Sequence, residues 1–242
     1  MASPFSSADI VFTHPDFYIV NKPVGTPMHD GENGIITVLA ALTGESRLYL
    51  CHRLDTVTSG CLLIGRNPTA AAQLSQLFSQ RQIQKFYLAV LSTKPSKKQG
   101  TLVGDMKNRR RGQHVLLKTR HNPAVTQFFS YHLPQVGRVA LVKPLTGKTH
   151  QIRVAMKSLG APIAGDTLYG GAAPQDRVSL HAYGLVFIYQ NQTFRICCPP
   201  NEGHHFTADV LTQWLPKIED IERMKWPKFT LPTIKKPSDT EL

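Results

Sequence analysis

Acidic residues are scarce in this chain. Its 242 residues carry 16 Asp and Glu against 28 Lys and Arg, a net charge of +12, although only 18% of residues are charged. An average soluble protein is about 25% charged, so the basic balance reflects missing acids as much as added bases. Long apolar runs are lacking too: no stretch of ~18 apolar residues occurs, which excludes a membrane-spanning helix. The opening Met1-Ala2-Ser3-Pro4-Phe5-Ser6-Ser7 has neither a basic flank nor an apolar core, so nothing there reads as a secretion signal. The four cysteines, Cys51, Cys61, Cys197 and Cys198, form no C-x-x-C pair. That spacing suits neither a structural zinc site nor the disulfide framework of a small secreted protein. Reduced thiols acting as small apolar fillers are expected, in a cytoplasmic protein.

Several chemistries lose support for want of their motifs. Thr146-Gly147-Lys148-Thr149 resembles the end of a phosphate-cradling loop, but Val142 stands where that loop needs its first glycine. No G-x-G-x-x-G is present for a dinucleotide. His29-Asp30 and His204-His205 lack the surrounding ligand pattern of a metal site. No cofactor and no metal are therefore expected.

What the chain does have is a core and a concentrated charge. Hydrophobic residues make up 41%, enough to exclude wholesale disorder. Between Lys94 and Arg120 lie nine bases (Lys94, Lys97, Lys98, Lys107, Arg109, Arg110, Arg111, Lys118, Arg120) and one acid, Asp105. Such a segment attracts a polyanion, because each base near a phosphate releases condensed counterions. The run Arg109-Arg110-Arg111 between Asn108 and Gly112 points to nucleic acid.

Pattern predicts the elements. Residues 9–13 and 17–20 read as a hairpin turned at His14-Pro15-Asp16, and residues 35–42 as a short helix stopped by Gly44. Cys61–Ile64 reads as a buried strand. Thr69 is the expected cap of a helix that places Ala70, Leu74, Leu77 and Phe78 on one face. Lys85–Leu91, Val125–Tyr131 and Val139–Val142 read as strands. Thr149 is expected to cap a helix running to Leu159 and stopped by Gly160. Leu180–Gln190 and Thr193–Cys197 form a hairpin turned at Asn191, and His205–Leu215 a closing helix. After Glu222, Pro227, Pro232 and Pro237 with interspersed lysines suggest a loose tail. Strands that do not alternate with long helices indicate an α+β fold. The expected organisation is a flexible N-terminus (1–8), one catalytic domain (9–221) and a Pro/Lys-rich tail (222–242).

The stretch His52-Arg53-Leu54-Asp55-Thr56-Val57-Thr58-Ser59-Gly60 puts a carboxylate in a tight polar loop just before a buried strand. A carboxylate there needs hydrogen bonds and a counter-charge. Loop-ordering and catalytic roles fit it equally. Four further segments follow the same order as in a known family: Asn21-Lys22-Pro23-Val24-Gly25, Lys85-Phe86-Tyr87-Leu88-Ala89-Val90, Thr146-Gly147-Lys148-Thr149-His150-Gln151-Ile152-Arg153, and Gly165-Asp166-Thr167-Leu168-Tyr169-Gly170 with Leu180-His181-Ala182. With these, residues 9–215 resemble the RluA-type family of pseudouridine synthases.

The resemblance implies the pseudouridine synthase fold, a mostly antiparallel mixed sheet with flanking helices and a central cleft. It implies that Asp55 is the catalytic carboxylate, Tyr87 the tyrosine that stacks under the target uracil, and Arg153 the base that pairs with Asp55. Arg53, just before Asp55, is expected to help extrude the target base or to fill the gap it leaves. His52 and the basic residues Lys107, Arg109, Arg110 and Arg111 are expected substrate contacts. The partner is RNA, tRNA or rRNA, and not DNA or a membrane, and the chain is expected to act as a monomer. Two departures stand out: Lys148 where many members have Arg, and Ala155 where a histidine commonly follows, which would loosen an RNA contact. No segment before the first strand is long enough for an added RNA-binding domain, as in the shorter members. A non-catalytic RNA-binding protein or RNA chaperone on this fold would be marked by loss of Asp55, Tyr87 or Arg153, and all three are present. A glycoside hydrolase would need a second carboxylate, and no motif offers one.

Overall fold

A strand with a continuous run of apolar and aromatic residues must be covered on both faces, and Phe86–Leu91 is the clearest case. In the computed structural model, which describes residues 5–28, 31–171 and 176–230, this stretch lies in the interior of a ten-stranded sheet. Phe86, Leu88 and Val90 pack on one side with Val139, Leu141, Tyr183, Phe206 and Ile221. Ala89 and Leu91 pack on the other with Phe128, Ala140, Val142, Met156 and Ile163.

The elements are β1 (Ile10–Thr13), β2 (Phe17–Lys22), α1 (Ile35–Thr43), β3 (Tyr49–Leu50), β4 (Ser59–Gly65), α2 (Pro68–Ser79), β5 (Gln84–Leu91), β6 (Gln99–Gly104), β7 (Met106–Asn108), β8 (His114–Leu116), β9 (Ala124–Leu133), β10 (Gly137–Pro144), α3 (Gln151–Ser158), β11 (Leu180–Tyr189), β12 (Gln192–Cys197), α4 (Asp209–Trp214) and α5 (Ile218–Arg223). Strand order is β1-β2-β4-β11-β5-β10-β9-β6, with β12 added to β11 and β3 to β4. The pairings are antiparallel except β4 with β11, where His181 faces Ser59 and Ala182 faces Gly60. This is the expected α+β architecture. Among the described residues no helix is long and apolar enough to cross a membrane. The four cysteines are free, and Cys51, Cys61 and Cys198 are buried.

Gly60 makes the parallel junction possible. It has φ of +108°, and a methyl group there would collide with the Ala182 carbonyl. Gly60→Ala is therefore expected to destabilise the chain by about 3 kcal/mol, from backbone strain plus overpacking. Equilibrium denaturation would measure this, and a loss below ~1 kcal/mol would mean that the junction relaxes.

The structure departs from the sequence pattern at several ends. α2 is capped by Asn67, whose Oδ1 accepts from the Ala70 amide at 2.8 Å, with Pro68 opening the helix. Thr69 lies inside the first turn because Asn-Pro is the stronger start signal. α3 is entered through His150, not capped by Thr149. The closing helix shrinks to α4, with α5 following Pro216. Residues 222–230 are not loose: Trp226 packs on Phe86 and Phe129, and Gln127 donates to the Pro227 carbonyl. The rest of that tail, the His29-Asp30 pair and Met1–Pro4 lie outside the described residues.

Candidate active site

The loop carrying Asp55 is pinned at both ends by side chains that compensate for its irregular backbone. Upstream, His52 stacks on Phe78 with ring centroids 4.1 Å apart, and its Nε2 accepts from the Leu63 amide at 2.9 Å. Burial pushes the ring's pKa down to about 3, so it stays neutral and can keep accepting. His52 lines the cleft, but its Nε2 is committed to the scaffold. Downstream, the fully buried Lys22 donates to the carbonyls of Pro23 (2.9 Å), Thr26 (3.1 Å) and Thr56 (3.4 Å). The Thr56 carbonyl also accepts from the Gly25 amide at 2.8 Å, and the Thr58 amide closes a turn on the Asp55 carbonyl. These bonds explain why Lys22-Pro23-Val24-Gly25 and the Asp55 loop occur in one chain: the first holds the second.

Beneath the loop, His181 Nε2 contacts the Cys198 carbonyl at 2.7 Å and its Nδ1 lies 2.7 Å from Ser59 Oγ. The carbonyl can only accept, so Nε2 carries the proton and Ser59 donates to Nδ1. Arg177 donates to the same hydroxyl at 2.6 Å. This Ser–His pair is buried and saturated, and it serves as scaffold.

The Asp55 carboxylate opens into a cleft of about 520 Å³, lined by the 51–55 loop, the end of α2, Lys85 and Tyr87 of β5, and residues 146–153. Its side chain is 23% exposed, while Arg153 is 6% exposed. Arg153 Nη1 lies 3.4 Å from Asp55 Oδ2. This contact with Asp55 is the longer of the two that Arg153 makes to carboxylates. Arg153 Nε and Nη2 form a bidentate fork on the buried Asp166, at 2.7 and 2.8 Å. Its guanidinium also sits over the Tyr169 ring, 5.0 Å from the centroid. Asp166 and Tyr169, within the Gly165–Gly170 segment, are the seat of Arg153.

Tyr87 faces the same cleft from the strand that carries Lys85 two residues earlier. Burial, with the Asp55 charge second, pushes its phenol well above the usual range, so it remains neutral. Lys85 donates to the Thr146 carbonyl at 3.2 Å. Burial and the nearby Arg81 charge bring its pKa down to about 8.

The segment from Thr146 to Arg153 is ordered by Gln151. Its Oε1 accepts from Thr146 Oγ1 (2.7 Å) and the Lys148 amide (3.0 Å), while its Nε2 donates to Val125 O and Thr126 Oγ1, both at 3.0 Å. Every hydrogen-bonding position of the amide is used. Ala155 is buried, in the same core cluster as Ile152 and Phe128. Lys148 Nζ bonds Asn122 Oδ1 at 2.9 Å.

Arg53 is exposed at the cleft mouth. Lys107, Arg109, Arg110 and Arg111 are exposed on the β7–β8 hairpin. They do not line the cleft, but their hairpin is tied beside it: Gln113 Nε2 donates to Leu168 O at 2.8 Å, and the His114 amide to Tyr169 Oη at 3.0 Å. Among the described residues no group of three or more His, Cys, Asp or Glu side chains could hold a metal ion.

Comparison with known proteins gives a consistent picture. A family model described as RNA pseudouridylate synthase matches residues 16–158. The chain is 46% identical over 198 residues to an uncharacterized RNA pseudouridine synthase of Haemophilus influenzae, covering 81% of this chain and 88% of that protein. It is 32% identical over 216 residues to the ribosomal large subunit pseudouridine synthase C of Escherichia coli, covering 81% and 68%. Among solved structures it is similar to human RNA pseudouridylate synthase domain containing 1, with a TM-score of 0.71, 25% identity, and 91% and 96% coverage.

Proposed function

Because the chain belongs to the RluA-type family of RNA pseudouridine synthases, and is thus an isomerase, we propose that it converts a specific uridine of a structured RNA, tRNA or rRNA, with Asp55 as its catalytic carboxylate. The observation that carries this reading is the Asp55 carboxylate in a cleft shared with Tyr87, its one oxygen 3.4 Å from a buried arginine.

The isomerisation breaks the N1–C1′ bond, turns the uracil and rejoins it through C5. Attack of Asp55 at C1′, attack at C6, and removal of a sugar proton all require an unprotonated carboxylate. The uridine must first leave its stack, at a cost of a few kcal/mol, and stacking on Tyr87 offsets part of that. Arg53 at the mouth suits the space the base vacates. The hairpin bases Lys107 and Arg109–Arg111 are placed to hold backbone phosphates beside the cleft. His52 supports the loop that presents Asp55. Relatives named as ribosomal large subunit synthases support rRNA as substrate. Pseudouridine mapping of cellular RNA with and without the gene tests the proposal, and an unchanged map in both tRNA and rRNA would overturn it.

Lys85 adds a pH dependence. Its charge is present below about pH 8 and lost above it, so RNA should bind more weakly as pH rises through that value. The KM for RNA is expected to rise about threefold to tenfold between pH 7 and pH 9, roughly the worth of one charge-assisted contact. Lys85→Arg, which keeps its charge, should flatten the profile. A wild-type KM that stays level over this range would remove Lys85 from the binding site.

A further inference from the structure

His150 is held in a conformation that its side chain does not favour. Its φ is +56°, a left-handed backbone that costs a non-glycine residue on the order of 1 kcal/mol. The strain turns the ring toward the cleft at the entrance to α3. Nδ1 lies 2.9 Å from Tyr169 Oη, and Nε2 lies 4.0 Å from Asp55 Oδ2.

The proton positions follow from the partners. Tyr169 Oη accepts from the His114 amide, and its own proton faces two ring nitrogens, His150 Nδ1 at 2.9 Å and His114 Nδ1 at 3.5 Å, of which the nearer is the better acceptor. The other tautomer would aim the Nε2 lone pair at a carboxylate, which is repulsive. Nε2 therefore carries the ring proton and points it at Asp55. The charged and titratable groups facing His150 are Asp55, Arg153, His114, Asp166 and Tyr169. Burial outweighs the two carboxylates and moves the imidazole below its usual range, so it is neutral at physiological pH.

We infer that His150 is a positioning residue of the active site, whose Nε2–H closes onto Asp55 Oδ2 in the RNA complex and, together with Arg153, leaves Oδ1 as the reacting oxygen. This rests on Asp55 being the catalytic carboxylate. The geometry is specific: Arg153 Nη1 and His150 Nε2 approach the same oxygen, at 3.4 and 4.0 Å. The remaining closure is about 1 Å, a tightening common when an open site binds substrate. Two donors on one oxygen fix the rotation of the carboxylate and turn its other oxygen to the substrate. Tyr169 joins this arrangement to the RNA-facing hairpin, since the same hydroxyl accepts from His114 on β8.

The test compares variants by tritium release from C5-tritiated uridine transcripts of tRNA and large-subunit rRNA. His150→Ala should lower kcat about 10²-fold, the usual worth of one oriented donor, with KM within about threefold of wild type. His150→Gln, which restores an N–H near the Nε2 position, should recover most of that loss. Tyr169→Phe keeps the ring under Arg153 and should lower kcat about tenfold by freeing the tautomer. Full activity of His150→Ala alongside an inactive Asp55→Asn would overturn the role of His150 and leave Asp55 in place. An active Asp55→Asn would instead overturn the reading of Asp55. A loss in His150→Ala that Gln does not restore, with a lowered melting temperature, would mark His150 as purely structural. A substrate-free measurement stands beside these: nitrogen-15 NMR of the His150 ring should show the neutral Nε2–H tautomer, and finding the Nδ1–H tautomer would overturn the inference.

Discussion

Asp55→Asn is expected to abolish turnover while leaving RNA affinity nearly intact. The change keeps the side-chain shape and its place in the cleft, but a neutral amide can neither attack carbon nor take a proton. Loss of a residue that reacts directly is commonly worth ~10⁴-fold or more in kcat, so tritium release should fall to background. Binding should survive because the proposed grip on RNA lies elsewhere, on Arg53, Lys85 and the β7–β8 hairpin. Asn can still accept from Arg153 through its carbonyl oxygen, so the fold should hold as well. A gel-shift titration beside the release assay checks both halves. Undiminished tritium release in the variant would remove Asp55 from the chemistry.

The second large effect is expected at Asp166, a residue with no catalytic role in the sequence reading. Asp166→Ala would leave the Arg153 guanidinium, 6% exposed, without its bidentate partner in a buried site. Breaking a buried pair from one side typically costs about 3–5 kcal/mol, because an uncompensated charge remains. For a domain of this size that lowers the melting temperature by on the order of 10 °C. Activity should fall further than stability explains, since Arg153 would lose the fork that fixes its guanidinium beside Asp55. The double replacement Arg153→Met with Asp166→Leu separates the effects. Removing both charges should recover much of the stability and none of the activity. Thermal unfolding by circular dichroism, run with the release assay, reads both. A single variant that melts within ~1 °C of wild type would show the fork to be energetically idle.

Asp166 also shows where local pattern stops informing. The Gly165–Gly170 segment reads as a turn, and it is one, with Thr167–Tyr169 a single 3-10 turn. Nothing local indicates that its carboxylate meets an arginine 13 residues earlier in the chain. Nor could spacing indicate that this arginine meets Asp55, 98 positions away; that pairing came from resemblance. His52 makes the complementary point. Its place beside Arg53 and Asp55 reads as a substrate contact, yet its Nε2 bonds the Leu63 amide on β4. Residues 51–55 all line the cleft, so proximity in sequence indicates which ones reach it but not which ring atoms the scaffold already holds.

By itself the sequence determined the α+β class, the basic segment, the motif set that marks the family and eight of the twelve strands among the described residues, missing β3, β6, β7 and β8. These are legible because they are local: a period of two for a half-buried strand, a stop at glycine, a cluster of one charge. Helix starts were less legible, since Asn67 and Thr69 both offer a capping oxygen and only the backbone decides which is used. The tertiary structure alone decided which carboxylate clamps Arg153 and which oxygen of Asp55 Arg153 and His150 both approach. Each depends on side chains from distant segments meeting in a partly buried site, where charge and hydrogen-bond partners must match. That matching is settled by the packing of the whole sheet and its loops.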